Sequence, residues 1–344
     1  MKKLRVVQIC HRPFLPPDDI DGLTADEIHP FRMEYDVWRA LTVSGHEVIR
    51  IGVEDELVPI RQAIEAHRPH VVFNCLRYFH DIAIYDAHVV SYLELLKVPY
   101  TGANPRGLLL SNDKVLSKKI LSYHRVRTPA FLVFRRGQPI RVPAKTRYPM
   151  IVKTVAEHAS LGIAQASVVR DEDQLRERVA FVHDKIGHDA MAEAYIEGRE
   201  LTVGVLGNER LTTFPVWELT FGNLPPGAPA IATAKVKSDY EYQERIGLRS
   251  ERATDLSAEQ VAAIQRLAKR IYRALELSGF ARIDLRMDAE GRVFVLEANP
   301  NPDLSFGEDF AESAEAAGLD YERLIQRIAT LGIAYRPAWK SAES

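Results

Sequence analysis

Arg282, Asp284, Glu297 and Asn299 fall within two short stretches, 282–287 and 293–299, separated by Asp288-Ala289-Glu290-Gly291. The first stretch alternates polar and apolar residues with period two, which predicts a half-buried strand. The second is a β-branched and aromatic run closing into Glu297-Ala298-Asn299, and the residues between have turn chemistry. With a two-residue loop, Glu290-Gly291, or a four-residue one, Asp284 lies opposite Glu297 and Arg282 opposite Asn299. Leu285 then meets Leu296 and Met287 meets Phe294 on the reverse, apolar face. A loop of three or five residues breaks that pairing. Two carboxylates held so close repel by roughly 4 kcal/mol at 4 Å and an effective dielectric of about 20. A raised pKa on one of them would relieve this. A hard cation would do so better, because two carboxylates and an amide carbonyl form the all-oxygen set that Mg²⁺ takes, with phosphate oxygens completing the shell. A solvated hairpin with Arg282 as the salt-bridge partner is the plainer alternative.

A second cluster of chemistry is cationic. Tyr148–Lys153 reads as a strand ending on a lysine, followed by the small-residue loop Ala156–Gly162. A point charge beside backbone N–H groups suits a phosphate, although a surface lysine next to an ordinary hairpin would look the same. Upstream, a helix opening at Pro105 carries Asp113-Lys114, followed by Lys118 and Lys119.

The elements that must position these groups follow in order. Leu4–Cys10 is an apolar strand, and the Pro-rich loop after it sits where an α/β sheet presents its ligand crevice. A helix from Pro30 through Leu41, a strand at Glu47–Gly52, a helix at Ile60–His67 and a buried strand at Val71–Asn74 come next. An amphipathic helix, Ala87–Lys97, leads to Val98–Gly102. Strands alternating with helices predict a parallel sheet covered on both faces. Further strands are expected at Ala130–Phe134, Ile163–Val169, Met191–Ile196 and Leu201–Leu206, with a helix from Asp171 to about Ile186.

The 344 residues suit two or three domains. A formal net charge of -2 gives no basic excess for a nucleic-acid backbone or an anionic membrane. Cys10 and Cys75 are the only cysteines, too few for a disulfide framework, and reduced buried thiols in a cytoplasmic protein are expected. No signal peptide and no membrane-length apolar run is read. Walker, dinucleotide-fingerprint, zincin and nucleophile-elbow patterns are all missing from the chain.

The order of motifs carries more than any one of them. Asp113-Lys114, Ile151-Val152-Lys153 with its loop, Glu193 with Glu200, Arg282-Ile283-Asp284 and Glu297-Ala298-Asn299 together resemble the ATP-grasp superfamily, and within it the D-alanine–D-alanine ligase branch. The resemblance covers roughly Val71 to Ile328, including Pro99-Tyr100-Thr101-Gly102, whereas the first seventy residues match only as a generic α/β domain. It implies an α/β fold, α+β in the ATP-binding part, with a Rossmann-like (pre-ATP-grasp) parallel-sheet domain at 1–104. A central subdomain at 105–206, a C-terminal subdomain at 207–336 and a tail at 337–344 would follow.

The resemblance also implies roles. Lys114 and Lys153 would contact ATP phosphates, Glu193 would accept from the adenine amino group, and Ala194 and Ile196 would flank the base through backbone groups. Glu200 would hold the ribose, and Leu296 and Ser160, the latter in a phosphate-covering lid at 156–162, would complete the nucleotide set. Asp284, Glu297 and Asn299 would coordinate two Mg²⁺ ions, for which Mn²⁺ could substitute. Arg282 would stabilise an oxyanion and acyl phosphate, and Lys235 would reach the γ-phosphate. The implied activity is ADP-forming ligation of a small-molecule carboxylate to an amine, in a cytoplasmic homodimer.

The departures concern substrate. Cys10-His11-Arg12-Pro13 stands where the family carries Gly-Gly and a glutamate, and Leu76–Asp81 replaces its H-G-x-x-G-E-D-G stretch. A family glycine falls on Asp303, and the pair that anchors the acceptor's carboxylate falls on Glu308-Asp309. Acidic groups there would favour an amine or cation, unless they only complement the dipole of the helix that follows. His11, His80 and His158 are candidate substrate contacts, although lone histidines near crevices are more often structural, and Tyr240 and Tyr242 have no evident role. These departures point away from a cell-wall D-alanyl-D-alanine synthase.

Overall fold

Three parallel strands, β1 (Arg5–His11), β2 (Glu47–Val53) and β3 (Val71–Asn74), form the N-terminal sheet in the order β2-β1-β3. In this computed structural model the described residues are 3–155, 163–233, 235–236 and 239–342. β1 is buried on both faces after Arg5, as expected of a parallel sheet flanked by helices. The helices Arg32–Val43, Val58–His67 and Asp86–Leu95 alternate with the strands. Val98–Gly102 is an extended strap, not a full strand: Val72 N–H donates to Pro99 O at 2.8 Å and Thr101 N–H to Val72 O at 3.0 Å.

The central sheet comprises β4 (Phe131–Phe134), β5 (Met150–Thr154), β6 (Val168–Val169) and β7 (Ala190–Ala194) in the order β4-β7-β5-β6. The strand expected at Ile163–Val169 is reduced to β6, because Gln165–Ser167 turns as a 3₁₀ segment. The large sheet takes β8 (Arg199–Leu206), β9 (Thr212–Thr213), β10 (Trp217–Phe221), β11 (Leu248–Arg252), β12 (Phe280–Met287) and β13 (Val293–Pro300). Its order is β11-β10-β8-β12-β13, with β9 paired to β8. The boundary expected at residue 206 is therefore too late. β8 pairs with β12 along its whole length and belongs to the C-terminal sheet, so the central unit ends before Arg199.

One apolar core runs from Val7, Ile9 and Val72 through Tyr100 and Leu108 to Leu201, Val203, Ile283 and Val295. It joins the N-terminal and large sheets, while the central sheet buries a separate core of Phe134, Val152, Leu175 and Val179. The junction is tight. A Cβ on Gly279, at φ +69°, would lie 2.5 Å from Gly102 O, and Asn301 Oδ1 accepts from Ala103 N–H at 2.8 Å. Replacing Gly279 with Ala combines a left-handed backbone with this overlap and should cost about 1–3 kcal/mol. Urea unfolding measures it, and wild-type stability would mean that the Gly102 strap yields without cost.

Candidate active site

The cationic half of the site is built from one helix and two strands. Asp113 caps the helix Lys114–Tyr123 by accepting from Val115 and Leu116 N–H, which sets where Lys114 and Lys118 emerge. The two are four residues apart and share a face. On the central sheet Ile151 lies opposite Glu193, so Lys153, two residues on, is Glu193's diagonal neighbour. Glu193 ends up fully buried between two ammonium groups, Lys118 Nζ and Lys153 Nζ, each at 2.7 Å. Burial alone would push its carboxyl up; the two lysines outweigh this and hold it below its usual value. Lys153, despite burial, is held above its ordinary value by Glu193 and Glu297.

In the structure both Glu193 oxygens face lysines, so it acts as the clamp that positions them. Lys118, passed over in the sequence, takes the position beside Lys153, while Lys114 reaches across to Glu297 Oε2 at 3.5 Å. The helical spacing from Lys114 was the available signal.

The acidic half lies on β12 and β13. Asp284 faces Glu297 and Arg282 faces Asn299, as expected, but the turn is not the one expected. Asp288 N–H donates to Arg292 O, closing a three-residue loop. A bulge then leaves Leu296 unpaired, so that Leu285 meets Val295 and Met287 meets Val293 instead of Leu296 and Phe294. Arg282 grips Asp284 bidentately, Nε to Oδ1 at 2.8 Å and Nη2 to Oδ2 at 2.9 Å. Asn299 Nδ2 donates to Asp284 Oδ2 at 2.8 Å. Burial opposes the Arg282 charge, but Asp284 more than restores it and raises its pKa.

Among the described residues no group of three or more His, Cys, Asp or Glu is gathered for a metal. The set on the hairpin is two carboxylates and one amide, whose nitrogen is turned to Asp284. Hard oxygen donors with room for phosphate oxygens are what Mg²⁺ accepts, so the residues fit that ion.

Arg286, next on the same strand face, organises the crossing between the sheets. Its Nη1 donates to Ile196 O at 2.7 Å and its Nη2 to Glu200 Oε2 at 2.9 Å, and its guanidinium lies 5.1 Å from the Tyr195 ring centre. Ala194 N–H donates to Ala130 O at 2.8 Å. Of the backbone groups assigned to the base, Ala194 N–H and Ile196 C=O thus already serve the fold, and Glu200 is already ion-paired. Lys235 is not brought to the cluster: its partners are Asp239 at 3.8 Å and the Tyr242 ring, at the start of the short helix that follows it. Ser160, His158 and the rest of the lid at 156–162 lie outside the described residues. His11 is buried beside Phe14, with Asp81 at 3.6 Å.

A buried acid clamped by two lysines, facing a carboxylate-bearing hairpin across a junction of two sheets, is the architecture of an ATP-grasp protein. The chain is similar over 99% of its length to the D-alanine–D-alanine ligase of Bacillus anthracis complexed with ATP, with TM-score 0.75 at 20% identity and 100% of that chain covered. In sequence it is 31% identical over 312 residues, 89% of this chain and 92% of its relative, to the D-alanine–D-alanine ligase of Syntrophotalea carbinolica. It is 32% identical over 249 residues to protein y4sG of Sinorhizobium fredii, covering 72% of this chain and 70% of that one. Residues 120–330 match the family described as D-ala D-ala ligase C-terminus, and the chain belongs to that family.

The clamp makes a test with a worked sign. Replacing Glu193 with Gln leaves two buried ammonium groups facing an amide, and should cost roughly 3–5 kcal/mol. The Glu193 contribution is full above its ordinary pKa of 4.5 and is lost as pH falls through the lowered folded value. The Lys153 contribution is full below its ordinary 10.5 and is lost as pH rises through the raised folded value. The stability gap between wild type and E193Q should therefore be flat across neutral pH and narrow in acid. A gap unchanged down to pH 2 in denaturant titrations would show that the charge is not what holds the lysines.

Proposed function

We propose that the protein is an ADP-forming carboxylate–amine ligase that joins a small acid, of amino-acid or peptide-like type, to an amine. The carrying observation is the juxtaposition of the Lys118–Glu193–Lys153 clamp with Asp284, Glu297 and Arg282. In the first step a carboxylate oxygen bonds to the γ-phosphorus of ATP, the bond to the β-phosphate oxygen breaks, and ADP leaves. In the second, the amine nitrogen bonds to the acyl carbon, phosphate leaves, and the nitrogen gives up a proton.

No protein nucleophile is needed. The work is positioning, charge stabilisation and exclusion of water from a hydrolysable acyl phosphate. Lys118 and Lys153 would hold phosphate oxygens, and Arg282 would steady the charge on the reacting carbonyl. Asp284, Glu297 and Asn299 would hold two Mg²⁺ ions, which neutralise charge building on the transferred phosphoryl group. A homodimer in the cytoplasm, as in the sequence reading, completes the proposal.

Replacing Glu297 with Gln should lower Mg·ATP-dependent phosphate release by at least about 10²-fold, as for loss of one charge-stabilising group, with the thermal unfolding profile retained. Unchanged turnover would remove the hairpin from the mechanism. Phosphate release with D-alanine as sole substrate separates this reading from a D-alanine–D-alanine ligase: little release is expected. A third alternative, a nucleotide-binding regulator without catalysis, predicts tight ADP binding and no product with any acid–amine pair.

A further inference from the structure

The helix Lys114–Tyr123, which carries Lys114 and Lys118, starts at a bend. Asp113 ends the helix Pro105–Asn112 and caps the next one, with φ -90° and ψ 100°. The helix before the bend belongs to the body of the protein: Leu108 lies in the main core with Ala87, Val90 and Leu93 of the helix Asp86–Leu95. The helix after it is tied to the central sheet, where Lys114 N–H donates to Val155 O at 3.2 Å and Lys118 Nζ meets Glu193 at 2.7 Å. The bend therefore sets the angle at which both lysines enter the site.

Asn112, the residue before the bend, is buried, and its Nδ2 donates to both carboxylate oxygens of Asp86 at 3.4 Å. Asp86, buried too, is the first residue of its helix and also accepts from Ala87 N–H. Burial pushes its carboxyl up to about 7 against those two hydrogen bonds, and among the described residues no cation answers it. An acid in a first helical turn complements the dipole, but an exposed one would do so without the cost of desolvation, and the dipole does not require Asn112. A buried carboxylate with no cation is expensive to keep. What it holds in return is the residue at the bend. Asn112 Oδ1 has no hydrogen-bond partner. A carboxylate can only accept from the amide, whereas a protonated acid or an amide at position 86 can accept from Nδ2 and donate to Oδ1 as well.

Building on the ligase reading, we infer that Asp86 is a positioning residue for the cationic half of the site: by gripping Asn112 it fixes the bend at Asp113, and with it the reach of Lys114 and Lys118. Asp86 itself touches neither lysine. It acts through one amide and the start of one helix, from the N-terminal layer of the protein.

The test is calorimetric titration of Mg·ADP into the full chain, well below the unfolding transition, with thermal unfolding followed alongside. D86A and N112A should each weaken Mg·ADP binding by at least about tenfold, as for phosphate-holding groups moved out of place. The D86A/N112A double variant should lose no more than either single one, because the pair acts as one device. D86N, whose amide keeps the grip on Asn112, should bind Mg·ADP as tightly as wild type. A lowered unfolding temperature with unchanged Mg·ADP affinity in D86A and N112A would make the pair merely structural and overturn the inference. Additive losses in the double variant, or a loss in D86N as large as in D86A, would overturn it too. Should D86A fail to fold, N112A and D86N carry the comparison. A wild-type chain that does not bind Mg·ADP would instead overturn the ligase reading.

Discussion

A single buried carboxylate sets the geometry of the cationic half of the site. Glu193 is shielded from water by the central sheet, and an unpaired charge there would be untenable. Each contact at 2.7 Å contributes roughly 6 kcal/mol at an effective dielectric of about 20, against a desolvation penalty of several kcal/mol per ion. The two lysines together outweigh the effect of burial on the Glu193 carboxylate. The helix Lys114–Tyr123 is thereby tied to a sheet with its own apolar core. The triad also carries one positive charge in excess after Glu193 has been satisfied.

The metal side depends on a correction built into the chain. The three-residue turn at Ala289–Gly291 would, if the ladder simply continued, place Leu296 opposite Asp284. The bulge between the turn and the charged pair absorbs one residue and returns Glu297 to that place. Leu296 is the residue given up by the ladder. Arg282, Asp284 and Arg286 then share one face of β12, with Ile283, Leu285 and Met287 buried on the other. One strand therefore supplies Arg282, the carboxylate it grips, Asp284, and the arginine that locks Glu200 and Ile196.

What could be read from residues alone follows from this. Alternation in 282–287 made the strand and its charged face legible, because a period of two assigns faces without reference to partners. The pairing of Asp284 with Glu297 was reached through the wrong loop length: turn residues mark a reversal but do not reveal a compensating bulge. The clamp was out of reach because Lys118, Lys153 and Glu193 meet only through long-range pairing of a helix with two strands. Nothing local to Glu193 announces that two lysines are its partners in the fold. The β8 boundary was misplaced for a similar reason, since a strand does not declare which of two sheets it will join.

The division of labour within the chain explains why family membership leaves the substrate open. The stretch that matches the family, 120–330, contains Lys153, Glu193, Arg282, Asp284 and Glu297, the residues to which the proposed phosphoryl chemistry is assigned. Glu34 and Arg77 stand on the N-terminal sheet layer, outside that stretch, and Asp303 and Glu308 stand on a loop that leaves the last strand. Glu34 pairs with Arg77 and Glu308 with Arg32, and among the described residues none of them forms an ion pair with the clamp. Their charges can change without disturbing Glu193 or the hairpin, so the phosphoryl chemistry can stay fixed while the acceptor's recognition is rewritten.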